Sequence, residues 1–355
     1  MQRPSMNEDG CCQKPYGPEL REVFALTSAR RRRRASSRTG LVLLGLLCAL
    51  GTAACGESEP DPPPPAELPE GAQAISLLGE PLYPAPADAD VRAQQVRDRE
   101  AAREAYEADP DDADAIIWLG RRTAYLGLYR EAIDIYTEGI EKHPEDPRMY
   151  RHRGHRYISV RDFDRAIDDL QRAAELVEGT EDRVEPDGQP NERNIPTSTL
   201  HFNIYYHLGL AHYLKGDFER ALPVYRRCLD VSRNPDTLVA TSHWLYMTLR
   251  RLGRDEEAAR VLEPITADLD VIENDSYHRL LLMYRGEIEP EALWDPEQDD
   301  PSGSALAYGV ANWHLYHGRE ELAERMFRQI VDGQGWAGFG YIAAEAELAR
   351  MSGEG

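Results

Sequence analysis

His152 and His155 stand three residues apart, as do His314 and His317, while His207 and His212 stand five apart. Imidazoles one helical turn apart can share a metal ion, but a structural zinc site takes four ligands and a catalytic one three. No H-E-x-x-H occurs, and no acid or cysteine completes a third ligand at a workable spacing. These histidines are therefore read as polar or packing groups, and no metal is expected. Residues Gly333 to Gly338 match G-x-G-x-x-G in form. A dinucleotide motif must follow a strand, whereas this segment follows a helix predicted to end near Val331. It is read as a loop that lets Trp336 and Phe339 fold onto the last structural repeat. A nucleotide P-loop is excluded, because neither Lys142 nor Lys215 follows a glycine or precedes Ser or Thr. There is no G-x-S-x-G, and Cys228 falls at a position predicted to be buried, as a core thiol rather than a nucleophile. No catalytic site is recognisable, no cofactor is expected, and the chain is read as not an enzyme.

Charge narrows the partners. Of a net −22 over 355 residues, residues 1–54 carry nine Lys/Arg against four Asp/Glu, so the remainder holds −27. A body that acidic repels phosphates, and no nucleic acid is expected. The only lysines are Lys14, Lys142 and Lys215, so any cationic site would use the planar, forked donors of arginine. Hydrophobic residues make up 41% of the chain, enough for a packed interior. The cysteines, Cys11, Cys12, Cys48, Cys55 and Cys228, form no C-x-x-C, which leaves a disulfide framework or zinc knuckle unsupported.

The first 54 residues read as a leader. Arg30–Arg34 are consecutive arginines, and an uncharged stretch from Thr39 to Gly56 follows, with its apolar centre at Leu41–Leu50. A basic region, a short apolar region and the small residues Thr52, Ala53 and Ala54 make a secretory signal. Cys55 comes next, and the arrangement resembles bacterial lipoprotein signals. The resemblance implies lipidation at Cys55 and a cell-envelope location facing the periplasm, with the outer membrane favoured by Gly56. In place of the family's usual Leu three residues before the Cys stands Thr52. Two alternatives stay open: cleavage after Ala54 to a soluble periplasmic protein, or an uncleaved signal anchor. Residues 1–29 fit no part of such a leader and are read as preceding the true start. Residues 55–90, with Pro62–Pro65 consecutive, are predicted to be a disordered, Pro-rich extended linker.

What must position any site is a repeat. With Gly120 at the eighth place of a 34-residue unit starting at Ala113, Leu119, Gly127, Ala132, Tyr136, Gly139 and Pro144 take fixed offsets. Gly154, Tyr157, Phe163, Ala166, Leu170 and Ala173 return at those offsets in a second unit. Leu208, Gly209, Gly216, Phe218, Ala221, Tyr225 and Cys228 do so in a third, and Leu245, Gly253, Ala258 and Leu262 in a fourth. Small residues at the eighth and twentieth places let two antiparallel helices approach closely. An interior glycine costs about 1 kcal/mol against alanine, so Gly120, Gly154 and Gly209 imply a packing reason.

This pattern resembles the tetratricopeptide repeat family over roughly residues 94–265. Its most specific phrases are Tyr-Leu-Gly-Leu-Tyr-Arg-Glu-Ala at 125–132 and Leu-Lys-Gly-Asp-Phe-Glu-Arg-Ala at 214–221. The resemblance implies an all-α fold, a right-handed superhelix of helix hairpins forming a solenoid over residues 91–351. Units are predicted near 113–146, 147–178, 202–235 and 239–265. A degenerate pair at 275–293, a unit at 304–331 and a capping helix at 340–351 complete it. An inserted loop at 179–199 separates units two and three, to be either functional or disordered. One of Thr197, Ser198 and Thr199 is predicted to cap the helix after it.

The family holds ligands on the concave side of its first helices. Carried over residue by residue, that side presents Arg121, Tyr125, Arg148, Arg151, His155, Asn203, Tyr206, Tyr213, His243, Arg250 and Arg251, with Asp114 as the single acid. Five arginines facing one acid in so acidic a body point to a protein or peptide partner, one bearing a carboxylate in particular. The Lys and Asn positions of the family's carboxylate clamp are not reproduced. Two readings follow: a non-enzymatic, lipid-anchored scaffold that holds a peptide in this groove, or an assembly subunit of an envelope complex that uses its outer faces. The inner arginines then bridge neighbouring acidic helices or self-associate with an acidic outer face.

Overall fold

A computed structural model describes residues 68–294 and 301–353. The leader, Cys55 and the linker up to residue 67 lie outside the described residues. Thirteen α-helices dominate what is described. They are α1 (Ala89–Ala108), α2 (Ala113–Tyr125), α3 (Tyr129–Lys142), α4 (Pro147–Ser159), α5 (Phe163–Leu176), α6 (Leu200–Leu214) and α7 (Phe218–Val231). Then come α8 (Pro235–Arg251), α9 (Asp255–Val261), α10 (Asp275–Tyr284), α11 (Pro301–Leu315), α12 (Glu320–Val331) and α13 (Phe339–Ser352). Pairs α2/α3, α4/α5, α6/α7, α8/α9 and α11/α12 pack as hairpins, and each also touches its neighbour. The fold is the helical-repeat solenoid that the residue pattern implies.

Local chemistry starts and stops these helices. Asp112 caps α2, its carboxylate accepting from the amides of Asp114 and Ala115. Asp146 caps α4 with Pro147 at the first helical position, and Thr199 caps α6. Asn234 and Thr237 form a reciprocal capping box at α8. The second helices bury one stripe each: Ala132, Tyr136 and Gly139 on α3; Phe163, Ala166, Leu170 and Ala173 on α5; Ala221, Tyr225 and Cys228 on α7. By contrast α6 is buried on every side. The interior glycines have the packing reason their cost implied. A Cβ on Gly120 would stand 2.5 Å from the Tyr136 ring, one on Gly154 2.7 Å from Leu170, and one on Gly209 2.7 Å from Tyr225.

Part of the expected linker is folded. Residues Ala74–Ile75 (β1) and Pro81–Leu82 (β2) pair antiparallel, Ala74 opposite Leu82, and Ala72, Ala74 and Leu82 are buried. Arg130 donates to the Gln73 carbonyl at 2.7 Å, and the Leu77 amide donates to Glu345. Proline content alone suggested a spacer. The alternating apolar residues between the prolines are what fold it back onto the body, while Pro81 and Pro84 need no ladder donor.

Residues just before the last described helix return to the first described units. Trp336 donates from Nε1 to the Tyr83 carbonyl at 2.6 Å and meets the Tyr129 ring edge-on, centroids 5.4 Å apart. Phe339 packs against His155, Tyr206 and His207. The glycine-rich loop therefore delivers these aromatics to the first three units, not to the last repeat as the sequence suggested. Polar partners waiting there, the Tyr83 carbonyl and the Arg161 guanidinium over the Trp336 ring, account for the destination.

Candidate functional site

The first helices α2, α4, α6 and α8 touch in succession and make a continuous inner face. That face is occupied by the protein's own chain, in two ways. Over α2, α4 and α6 lies the inserted loop. Over α6 and α8 lie α11 and α13.

Glu185 anchors the loop. Its carboxylate, 8% exposed, meets Arg151 Nη2 at 3.1 Å and His152 Nε2 at 3.5 Å, and accepts from Asn203 Nδ2 at 2.9 Å. Arg151 Nη1 lies 2.9 Å from His152 Nδ1. Guanidinium can only donate, so Nδ1 accepts and the imidazole proton sits on Nε2, facing the carboxylate. Burial, reinforced by Arg151, holds His152 well below the usual histidine range, so the ring is a neutral spacer between two charges. Beyond Glu185 the contacts go to the main chain. Arg121 Nη1 donates to the Pro186 carbonyl at 2.7 Å and Arg122 Nη1 to the Gly188 carbonyl at 3.0 Å. Both guanidiniums stack on Trp118, at 4.5 and 5.2 Å from its centroid, which fixes their aim. The loop's far half is tied to the region before α10. Asn191 donates to Glu273 at 2.6 Å, Arg193 to Asp270 at 2.7 Å and Thr197 to Glu273 at 2.5 Å.

The second covering is of another kind. Tyr213 bonds the Tyr308 hydroxyl at 2.8 Å and accepts from Asn312 at 3.0 Å. Trp244 lies edge-on to Tyr213 at 5.1 Å, stacks on Tyr308 at 6.1 Å and donates to the Tyr206 hydroxyl at 2.9 Å. His243 is wholly buried and stacks on Tyr277 with centroids 4.6 Å apart; burial pushes its pKa down to about 3. Glu347 on α13 is 1% exposed. Burial would raise its pKa, but Arg350 and Arg251 outweigh that and hold it below the usual carboxylate range.

The eleven residues expected on an open groove are thus already engaged or buried. Arg151, Asn203, Tyr206, Tyr213 and His243 are buried, and Arg121, Tyr125, Arg148, His155, Arg250 and Arg251 are half-buried. Arg148 grips Asp146 at 2.5 Å and also Asp114, Arg250 reaches Asp255 at 2.9 Å and the Tyr246 hydroxyl, and Arg251 pairs with Glu347. The structure brings Arg121, Tyr125, Arg151 and Asn203 together around the loop. Tyr206, Tyr213 and His243 belong to the aromatic core, and His155 lies between, with His207 at 4.2 Å. A cleft of about 290 Å³ remains beside His155, Glu273, Tyr277 and Phe339, room for a side chain or two and not for a helix. Among the described residues no group of three or more His, Cys, Asp or Glu could hold a metal, and no helix is long and apolar enough to cross a membrane. Cys228 is buried, its thiol pushed up to about 12.

Several residues that matter here were missed in the sequence. Glu185 was hidden in a loop whose role was open, and Arg122 sat off the expected stripe. Glu345 and Glu347 gave a usable signal, acids inside the otherwise apolar Tyr341–Ala349. So did Arg161, which stands where other units have Gly127, Gly216 and Gly253.

Residues 202–235 match the tetratricopeptide repeat. BBSome complex member BBS4 of Bos taurus is 26% identical over 140 residues, 39% of this chain and 23% of that protein. The Mus musculus protein of that name is 24% identical over 138 residues, 39% and 22% of the two chains. The chain therefore spans less than a quarter of these relatives' length. Among solved structures, YrrB, described as a TPR protein with an unusual peptide-binding site, aligns at 15% identity over 71% of this chain and 99% of its own, TM-score 0.38. The APC/C hetero-tetramer Cut9–Hcn1 aligns at 16% identity over 73% of this chain and 40% of its own, TM-score 0.42. One unit, residues 202–235, thus matches the repeat outright, and the neighbouring helix hairpins share its offsets.

Proposed function

We propose that this chain is a non-enzymatic scaffold that holds a non-helical protein segment on the inner face of its first three hairpins. One observation carries the reading: that face already holds such a segment, residues 184–190, through arginine donors to main-chain carbonyls and a carboxylate. Contacts of this kind read a backbone and one acid, and ask little of the other side chains. The leader pattern supports display at a bacterial cell envelope through a lipid on Cys55; Cys55→Ser should then move the protein from the membrane to the soluble fraction. The binding test is crosslinking capture from native envelopes with Arg121→Glu plus Arg122→Glu, both half-buried on the trench wall. Capture should be lost with helicity intact, and capture that persists rejects the site.

A second reading, an assembly subunit using its outer faces, is favoured by the filled inner face over α8 and by a relative whose name makes it a complex member. Charge reversal on the exposed side of α5, Asp168→Arg with Arg172→Glu, should then disrupt a complex and leave peptide capture unchanged.

A further inference from the structure

We propose that the trench walled by Arg121, Arg122, Arg151 and Asn203 takes a partner's acidic, non-helical segment, and that residues 184–190 occupy this place until displaced. This rests on the proposed scaffold reading and adds a ligand chemistry and a resting state to it.

The loop is seated by exchangeable contacts. Of its side chains only Glu185 and Thr197 are buried, together with Gly188. Its large apolar residues point the other way, Val184 being 58% and Ile195 51% exposed. No apolar anchor holds it down, so its place depends on hydrogen bonds and ion pairs that an incoming chain can remake one for one. The seat is nevertheless specific. A carboxylate fits between Arg151, His152 and Asn203. Three residues on, the chain passes so close to α2 that a Cβ on Gly188 would collide with the Tyr125 hydroxyl and come within 2.8 Å of Arg121 Nη2. The segment that fits is therefore a glutamate followed three residues later by a glycine, read through main-chain carbonyls between them. A body this acidic disfavours such a segment over most of its surface, and these guanidiniums offset that here.

Tethering sets the resting state. A loop joined at both ends acts at an effective concentration on the order of millimolar. The same sequence offered from outside at micromolar concentration cannot compete, whereas a partner with further contacts can.

The test uses the full chain and a fluorescent peptide of residues Asp182–Glu192. Its recipients are the wild type, a variant with residues 184–196 replaced by a Gly/Ser linker of equal length, and Gly188→Val. Gly188→Val crowds the loop against the ends of Tyr125 and Arg121 without altering any trench residue. Loss of hydrogen-exchange protection at the Glu185 amide checks that the loop has left, so this variant decides the matter if the linker variant misfolds. Expected is binding to both variants about a hundredfold tighter than to wild type, lost when the peptide carries Glu185→Ala. Equal binding to all three proteins overturns the resting-state claim and leaves the scaffold reading standing. Undiminished binding of the Glu185→Ala peptide overturns the carboxylate claim. Absence of binding to any protein, with helicity intact by circular dichroism, overturns both the inference and the peptide-holding function.

Discussion

Two stretches of one inner face are covered here by different materials. Over α2 and α4 the cover is a loop that contributes a carboxylate, main-chain carbonyls and almost no buried apolar surface. Over α6 and α8 it is two helices that contribute Tyr308 and Glu347 to a closed aromatic and ionic interior, while Glu345 of the second helix reaches back to Arg161. The backbone framework is the same in both. What differs is the side chain at equivalent places. At the fifth, Arg151 in the second unit stands against Tyr206 and His243 in the later ones, with Trp244 beside His243. At the ninth, Arg121 in the first unit stands against Leu210 and Met247. Arginine prefers a partner it can exchange with water or another acid, whereas a buried indole loses about 3–5 kcal/mol when its packing is removed. The same repeat thus serves as a trench at one end and as a core at the other, and the identity of a few inward residues decides which.

That contrast can be broken at several points. Glu345→Ala leaves Arg161, 3% exposed at the side chain, as an unpaired buried charge, and should cost about 3–5 kcal/mol of unfolding free energy in urea melts. A loss under about 1 kcal/mol would mean that α13 is as replaceable as the loop. Next comes pH. Unfolded, His243 takes a proton near the ordinary 6.5; folded, it takes one only near 3. Between those values the unfolded chain carries the extra proton, so stability falls as pH falls below 6.5, by about 2 kcal/mol at pH 5. His243→Phe should flatten that part of the Tm-against-pH curve, and an unchanged slope assigns the acid sensitivity elsewhere. On the loop side, Gly188→Val should lower stability by about 1–2 kcal/mol, because the few polar contacts given up are largely remade with water. It should nevertheless abolish hydrogen-exchange protection in residues 184–190. Smallest of all, Arg193→Ala removes a pair exposed at both ends and should change stability by about 0–1 kcal/mol. A larger effect would show the loop's far half to be structural.

The fold was legible because it is periodic. Gly120, Gly154 and Gly209 recur at one offset, and the large residues they face, Tyr136, Leu170 and Tyr225, recur at another, so sequence spacing reports contact directly. The inner residues were legible as a set for the same reason. Their partners were not. Glu185 meets Arg151 from 34 positions away, and Glu345 meets Arg161 from 184 away, distances over which no local spacing rule operates. The hairpin at Ala74–Leu82 was missed because prolines were weighed by number. Their positions at strand ends were compatible with pairing all along. Counting charges on one face likewise omits the acids that the rest of the chain brings to it, Glu185 at Arg151 and Glu347 at Arg251.

Arg161 adopts φ +65°, a left-handed conformation that costs a side-chain-bearing residue about 1 kcal/mol, at the place where the first, third and fourth units have glycine. It is held there by Glu345 and by the carbonyls of Ser159 and Trp336. Repeat arrays ordinarily melt from their ends, each unit answering only to its neighbours. Here the second unit's turn is satisfied only when the last helix has docked, so fraying at the terminus exposes a strained and unneutralised corner near the front. The domain should melt as a single cooperative block, and a truncation of α13 should be felt 184 residues upstream.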